Sequence, residues 1–513
     1  MPRVVQLDLL IAPSVAASID VVAGDPTACS IGGVTEDSRE VRPGDLFVAR
    51  TGRATDGARF ARSAVEAGAV AVLGGLDDGI DLPADVVRLA AADPGETGAR
   101  LAFAFHDHPE HALDVVGITG TNGKTTIATL ARQLAAATVG PTGSIGTVEI
   151  HDGTHARPAH LTTPGRIELA RTLAGFVEAG TPRVMLEVSS QGLDQGRVGD
   201  LPFRIGVFTN LSGDHLDYHG SMEAYERAKA ILFESLDADA FAISNLDDPV
   251  GIRMLERTRA RGIGITTDAD ATDDDLAGRI LVSSHPIDAT GMRLRLEGSG
   301  CVEGSIEADV PLVGGHNAFN VAAAVAIVRC LGGEAAAIEA ALERVEAPAG
   351  RLEPVHGPSD DVSVFVDYAH SDDSLRNVLA AVRGIVPAGD ALWVVFGAGG
   401  DRDASKRPRM MRAALDGADH VVVTSDNPRT EDPARIVADV VAGAIEAESR
   451  RVEACVDRAE AIRHAVATAP AGTILVIAGK GHETYQLVGR ERRFFDDRAA
   501  AADALRARRG GGS

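Results

Sequence analysis

Apolar runs that close on polar turns recur along the chain. "LDVV" leads into "GITGTNGKTT", "RVMLEV" into "SSQG", "RIGVFTNL" into "SGDHLDYHG", and "AFAISNL" into "DDP". Between them lie stretches with helical patterning, such as "IATLARQLAAA" and Met222 to Leu236. Strands alternating with helices predict an α/β fold built on a largely parallel sheet. A further series, "VSVFVDYAH", "ALWVVFGAGG", "HVVVTSDNP" and "TILVIAGKGHE", starts after "APAGRLEPV", where Pro348 and Gly350 break a helix and mark a linker. An earlier block ends in "DLFVAR", "AVAVLGG" and an Ala-rich helical stretch. The expected domains are residues 1–110, 111–347 and 348–513, in line with a length of 513 residues. The ending "RARRGGGS" reads as a frayed tail.

Composition narrows the function. Hydrophobic residues make up 45% and charged residues 24%, as in soluble globular proteins. There is no apolar run long enough for a transmembrane helix, and "MPRVVQLDLLIAPSV" lacks the architecture of a signal peptide. A formal net charge of −24 argues against nonspecific nucleic-acid or membrane partners. Any anionic substrate must then be held by a local cluster of Lys, Arg and backbone N–H groups. The four cysteines, Cys29, Cys301, Cys330 and Cys455, form no C-x-x-C pair, so neither a cysteine zinc site nor a disulfide framework is expected. A cytoplasmic location fits.

Polar motifs follow the apolar runs, and in open α/β sheets ligands bind at the carboxyl ends of strands. "GITGTNGKTT" stands between a strand and a helix. Gly120 and Gly123 allow backbone N–H groups to turn onto phosphate oxygens, Lys124 can neutralise the β- and γ-phosphates, and Thr125 can offer its hydroxyl to Mg²⁺. Ile118 occupies the usual first glycine position, so the loop is a variant. Glu187 of "LEVSSQG" would end a strand as a buried carboxylate in need of a cation, for which Mg²⁺ is suited. "SGDHLDYHG" brings polar density around His215 after another strand. Taken alone, Lys229 of "YERAKAILF" reads as a solvent-facing helical lysine. The turn "SDNPRTEDP" gathers Asp426, Asn427 and Arg429, which suits a ligand carrying both an ammonium and a carboxylate; an internal Arg–Asp pair on a surface turn is the plainer reading.

Together, "GTNGKTT", "EVSS", "FTNLSGDHLDYHG", "YERAKAILF", "GGHNAFN", "GRLE", "VDYAH", "GAGGDRD", "DNPR" and "GKGHE" occur in the order found in Mur ligases. The chain resembles that family over nearly its whole length, and within it the members that add diaminopimelate. The resemblance implies an N-terminal domain for the UDP end of the substrate, a central phosphate-loop domain for ATP, and a Rossmann-like C-terminal domain for the incoming amino acid. It implies ATP and Mg²⁺ as cofactors, UDP-MurNAc-L-Ala-D-Glu and meso-diaminopimelate as substrates, a monomer, and amide formation through an acyl phosphate.

Carried over by position, Gly120, Thr121, Asn122, Gly123, Lys124, Thr125 and Thr126 would hold the phosphates, and Asn245, Asn317, Asn320, Arg351 and Asp367 would complete the nucleotide site. Thr125, Glu187, His215 and Lys229 resemble the metal set, Lys229 as a carbamate; Lys124, Lys229, His215 and Glu187 would be catalytic. Ser38, Arg53, Ala54, Thr55, Thr162, Thr163, Ser189, Gln195 and Arg197 would contact the UDP-linked substrate. Arg402, Asp426, Asn427, Pro428, Arg429, Gly479 and Glu483 would form the diaminopimelate pocket. An L-lysine ligase would meet no carboxylate at those arginines, which favours diaminopimelate. The chain departs from the common family pattern at Leu161, Gln191, Gly213 and Ala398. A folylpolyglutamate synthetase shares the ligation logic but gives no reason for "DNPR", and a non-catalytic scaffold gives none for Lys124, Glu187 and Lys229.

Overall fold

The computed structural model describes residues 3–11, 19–52, 56–76, 79, 81–271 and 275–510. Three sheets of five or more strands organise them. The first has five strands, in the order Asp20–Ala23, Val87–Ala91, Ala71–Gly75, Asp45–Val48, Gly33–Thr35; all but the first are parallel.

The second sheet has eleven strands. Its centre is parallel and includes Thr142–Ile145, Arg183–Glu187, Asp114–Thr119, Phe203–Phe208, Phe241–Asn245 and Arg261–Thr266 in that spatial order. These strands read as near-continuous apolar runs because helices cover both faces, leaving no solvated side to favour alternation. Helix His316–Cys330, "HNAFNVAAAVAIVRC", is apolar around most of its circumference and packs inside. An antiparallel extension, Gly278–Asp288, Gly291–Gly300 and Gly304–Val310, was not anticipated from the sequence. Its alternation in "MRLRLEG", with Met292, Leu294 and Leu296 buried, marks a sheet with one wet face.

The third sheet has six strands, with Ser363–Asp367, Ile474–Ala478, Leu392–Ala398, His420–Ser425 and Val452–Ala454 parallel. Helices begin where side chains cap them. Asp93 accepts from Glu96 N before Pro94, Ser221 accepts from Ala224 N, and Ser371 and Ser374 cap one another reciprocally. One expectation is corrected: the tail is not frayed up to Gly510. Helix Asp497–Gly510 holds it, because Arg508 donates to both carboxylate oxygens of Asp361 at 2.7 Å and to the Val466 and Ala469 carbonyls. Only residues 511–513 of that tail lie outside the described residues.

The first and second sheets are tied by charge. Arg166 pairs with Glu96 and Arg171 with Glu40, each joining the helix Arg166–Glu178 to the N-terminal block.

Candidate active site

Strand Asp114–Thr119 delivers the chain into the turn Gly120–Gly123, and helix Lys124–Thr138 starts directly after it. Gly120 and Gly123 have φ of 146° and 88°. Both are also pressed: a Cβ on Gly120 would collide with Thr209 Oγ1, and one on Gly123 would lie 2.6 Å from Asn320 Oδ1. Backbone conformation and space both require glycine here. The loop is tied to the next strand end, since Thr209 Oγ1 donates to Asn122 O at 2.6 Å and Asn122 N donates to Asn210 Oδ1 at 3.0 Å. Thr121 Oγ1 lies 3.1 Å from Tyr225 OH. Lys124 folds back on its own loop, donating to the carbonyls of Gly120 at 2.8 Å and Thr121 at 2.9 Å. Desolvation pulls its pKa down.

Glu187 ends the neighbouring strand and is 1% exposed. Its carboxylate accepts from Thr125 Oγ1 at 3.0 Å, Thr147 N at 3.0 Å and Thr147 Oγ1 at 2.9 Å. Gly146 makes room, because a Cβ there would overlap Glu187 Oε1. A buried carboxylate satisfied only by neutral donors, beside a helix N-terminus that starts with Lys124 and Thr125, suits a hard cation with oxygen ligands. The donor set of Thr125 and Glu187 therefore fits Mg²⁺. His215 stands in an exposed turn with φ 54°, 3.6 Å from Asp214 by Nε2, and its ring meets Tyr225 edge-on.

The plain helical reading of Lys229 is corrected. The residue is 1% exposed on helix Met222–Glu234, with Nζ 4.4 Å from the centre of the Tyr225 ring. Burial, and then repulsion from Lys124, hold its pKa well below the ordinary lysine value; the attraction of Asp214 is weaker. Burial also pushes the Tyr225 hydroxyl up to about 12.

A second face opens from Glu187. Thr162 Oγ1 lies 3.1 Å from Thr147 Oγ1; Thr163 Oγ1 donates to Glu187 O at 2.9 Å and accepts from Ser189 N at 2.9 Å. Arg197 donates to Thr163 O at 2.9 Å and to Gln195 Oε1 at 2.8 Å, while Gln195 donates to Tyr218 OH. Thr162, Thr163, Ser189, Gln195 and Arg197 thus form one network. Arg197 is within electrostatic reach of Arg50 and Glu36 from the first sheet, whose turn carries half-buried Ser38. Arg53, Ala54 and Thr55 lie outside the described residues.

Asn317 and Asn320 are buried behind the phosphate loop, where Asn320 Nδ2 donates to Asn317 Oδ1 at 2.8 Å. Asn245 braces Thr209 through its carbonyl at 2.9 Å. From the C-terminal block, Arg351 reaches the field of Lys124 and stacks its guanidinium 5.0 Å from the centre of the Tyr368 ring. Its Nε is buried without a hydrogen-bond partner. Asp367 accepts from Leu352 N and Ala369 N, both at 2.8 Å, and burial raises its pKa.

At the carboxyl edge of the third sheet, Asp426 and Asn427 are buried and Arg429 has φ 51°. Asn427 Nδ2 donates to Glu483 Oε2 at 2.9 Å, and Arg429 Nη1 donates to Gly400 O at 2.7 Å. Gly479, φ 120°, faces Asp426: a Cβ would lie 2.8 Å from its Oδ2. Arg402 is exposed beside Gly399, which also faces Arg429 Nη1, and the Pro428 carbonyl packs on Gly400. The surface-turn reading fails on this burial, and Arg429 bonds a carbonyl rather than Asp426.

Several participants were not read from the sequence. Lys480 is wholly buried, 3.0 Å from Glu483 Oε2 and 3.2 Å from Asn427 Oδ1. Its motif "GKGHE" was the available signal. A hairpin, Tyr485–Val488 with Glu491–Phe494, lies over the turn; Leu487 N donates to Asn427 Oδ1 and Arg429 N to Leu487 O. Arg458 and Asp497, both fully buried and joined by two 2.7 Å bonds, fix the strand end through the Ala478 carbonyl. Tyr368 links the loop side to this cluster, lying between Arg351 and the charges of Glu483 and Asp426.

Comparison with known proteins covers the whole arrangement. Residues 30–111 match the model for the Mur ligase family catalytic domain, 118–328 the Mur ligase middle domain, and 350–481 the Mur ligase glutamate ligase domain. The chain is 42% identical over 479 residues to the UDP-N-acetylmuramoyl-L-alanyl-D-glutamate–2,6-diaminopimelate ligase of Geobacillus kaustophilus, covering 92% of this chain and 94% of that one. The protein of the same name from Gloeobacter violaceus is also 42% identical, covering 94% and 95%. A solved structure with this name superposes with a TM-score of 0.67 at 32% identity over 98% of this chain and 99% of that one. A folylpolyglutamate synthase of Mycobacterium tuberculosis gives a TM-score of 0.57 at 21% identity over 80% and 94%, a likeness of fold alone.

Proposed function

The chain belongs to the Mur ligase family, and from that premise we propose that it joins meso-2,6-diaminopimelate to UDP-N-acetylmuramoyl-L-alanyl-D-glutamate at the expense of ATP, a cytoplasmic step of peptidoglycan precursor synthesis. The observation that carries the substrate assignment is the cluster of buried Asp426 and Asn427 with half-buried Arg429 and Glu483. Only the distal centre of diaminopimelate keeps an ammonium and a carboxylate during ligation, and this cluster offers partners for both. Arg429 and the exposed Arg402 are the candidate carboxylate fork.

The chemistry follows from the groups present. A carboxylate is a poor electrophile, so the glutamyl carboxylate oxygen attacks the γ-phosphorus of ATP, the bond to ADP breaks, and an acyl phosphate forms. The diaminopimelate amine then attacks the acyl carbon; the C–O bond to phosphate breaks and the nitrogen loses a proton. Thr125 and Glu187 would hold Mg²⁺, which when bound would neutralise phosphate charge. Lys124 leaves the Gly120 and Thr121 carbonyls to meet the phosphates, and Thr162, Thr163 and Arg197 orient the UDP-linked substrate. Lys229, whose burial and nearness to Lys124 disfavour the ammonium form, is the candidate to add CO₂ through its amine nitrogen with loss of a proton, which would put a carbamate anion in place of a charge that Lys124 repels.

The test is phosphate release from ATP and UDP-MurNAc-L-Ala-D-Glu with the amino acid varied. Release with meso-diaminopimelate and little with L-lysine is expected. Equal release with L-lysine would defeat the pocket assignment, and release only with a folate and glutamate would defeat the function.

A further inference from the structure

We propose that His108, Glu110 and His111 form a site for a late first-row transition ion of the Zn²⁺ class, at the junction between the first and second sheets. One ligand atom from each residue lies within 4.8 Å of the others. Glu110 Oε1 is 2.9 Å from His108 Nδ1 and 3.7 Å from His111 Nε2. Tetrahedral zinc with bonds of about 2.0–2.1 Å places its ligands roughly 3.3 Å apart, so these spacings need only small adjustment.

The surroundings argue for a ligand rather than a chance contact. Glu110 is 8% exposed, and its second oxygen, Oε2, is buried with no hydrogen-bond partner. A single histidine contact leaves that oxygen unsatisfied, whereas a cation answers the whole carboxylate. Both imidazoles are exposed, so an ion can enter from solvent and keep water in its remaining position. The rings of His108 and His111 stack at 5.8 Å and 27°.

The backbone is shaped to present this group. Helix Pro94–Phe105 ends, and the next residues Asp107 and His108 have φ of 57° and 54°. Helix ends commonly use one left-handed residue, usually glycine; two consecutive non-glycine residues there are costly. Their effect is to swing His108 over Glu110. Imidazole and carboxylate together select zinc-class ions, while Mg²⁺ prefers oxygen alone. The site is also remote from the phosphate loop. Strand Asp114–Thr119, six residues and about 20 Å long, separates the two ends.

The full-length protein should be titrated with Zn²⁺ against a chromophoric chelator in millimolar Mg²⁺, and with Co²⁺ followed by d–d absorption. Wild type should take up one equivalent, with a rise in Tm. His111→Gln, at an exposed position that leaves the fold intact, should bind about tenfold or more weakly, show no such rise, and retain its Mg²⁺-dependent ligase activity. Glu110→Gln should behave likewise. His215→Ala is the control, because His215 belongs to the set expected for magnesium and not to this cluster; it should keep the zinc. Absence of a tight equivalent in wild type, undiminished binding by His111→Gln, or loss in His215→Ala alone would overturn the assignment.

Discussion

Lys480 and Glu483 form a 3.0 Å ion pair three residues apart, with the lysine wholly excluded from solvent. The pair shares Asn427, which donates to the carboxylate and accepts from the ammonium. Lys480→Met leaves Glu483 without its counter-charge and Asn427 Oδ1 with the Leu487 N–H as its remaining donor. Breaking such a pair costs about 3 kcal/mol, the low end of the usual range because Glu483 keeps some contact with water. Amino-acid KM should rise about tenfold or more while ATP KM stays near wild type, measured by phosphate release; parallel changes in both would deny the pocket role.

Glu187→Gln keeps the shape of the side chain and removes its charge. The carboxylate now accepts from Thr125 and Thr147, so the amide must turn a donor toward one of them. Turnover should fall about a hundredfold or more, with a higher Mg²⁺ requirement in the same assay. An unchanged Mg²⁺ titration curve would remove Glu187 from the metal set.

Lys229 sets a pH dependence of stability. Its folded pKa is held well below the ordinary value by burial and then by Lys124, so the unfolded chain binds the extra proton throughout that interval. Stability contributed at this site therefore increases with pH and is poorest below the depressed folded pKa. Denaturant unfolding should show Lys229→Met more stable than wild type near neutral pH, with the gap closing toward the normal lysine range. A gap that widens with pH contradicts the sign.

His482 acts on the acid side. Burial and the Arg351 charge lower its pKa from 6.5 to about 4, and its Nδ1 is buried without a partner. Between those values the unfolded state holds a proton that the folded state refuses, so stability drops as pH falls from 6.5 to about 4. Thermal melts of His482→Gln should lose less over that window than wild type does; identical acid slopes would show that the ring is not responsible.

Arg429→Lys retains charge and loses the planar fork. Amino-acid KM should increase about tenfold or more, well beyond any change in ATP KM, since one ammonium replaces two parallel donors. Equal shifts would place Arg429 elsewhere in the mechanism.

Much of this organisation was legible because short buried strands announce themselves as apolar runs and their ends as polar turns. "LDVVGITGTNGKTT" and "HVVVTSDNPR" gave strand, turn and chemistry together. Lys229 was misread because its charge was weighed above its place: it lies four residues from both Tyr225 and Phe233, on the buried stripe of its helix. Lys480 and the Arg458–Asp497 pair escaped because a charged residue carries no sequence mark of burial; their partners come from 53 and 39 residues away. The hairpin over Asn427 hid in "TYQLVGRERRFF", whose outer strand is wholly exposed.

Gly350 has φ 66°, and a Cβ there would run into the backbone of Gly481 and His482. Main chain thus lies flat on main chain where the interdomain connector meets the "GKGHE" segment. The two stretches are seated directly on one another, so a displacement of either is passed to the other. A methyl group at position 350 would act as a wedge in that joint, forcing the main chain off Gly481 and His482.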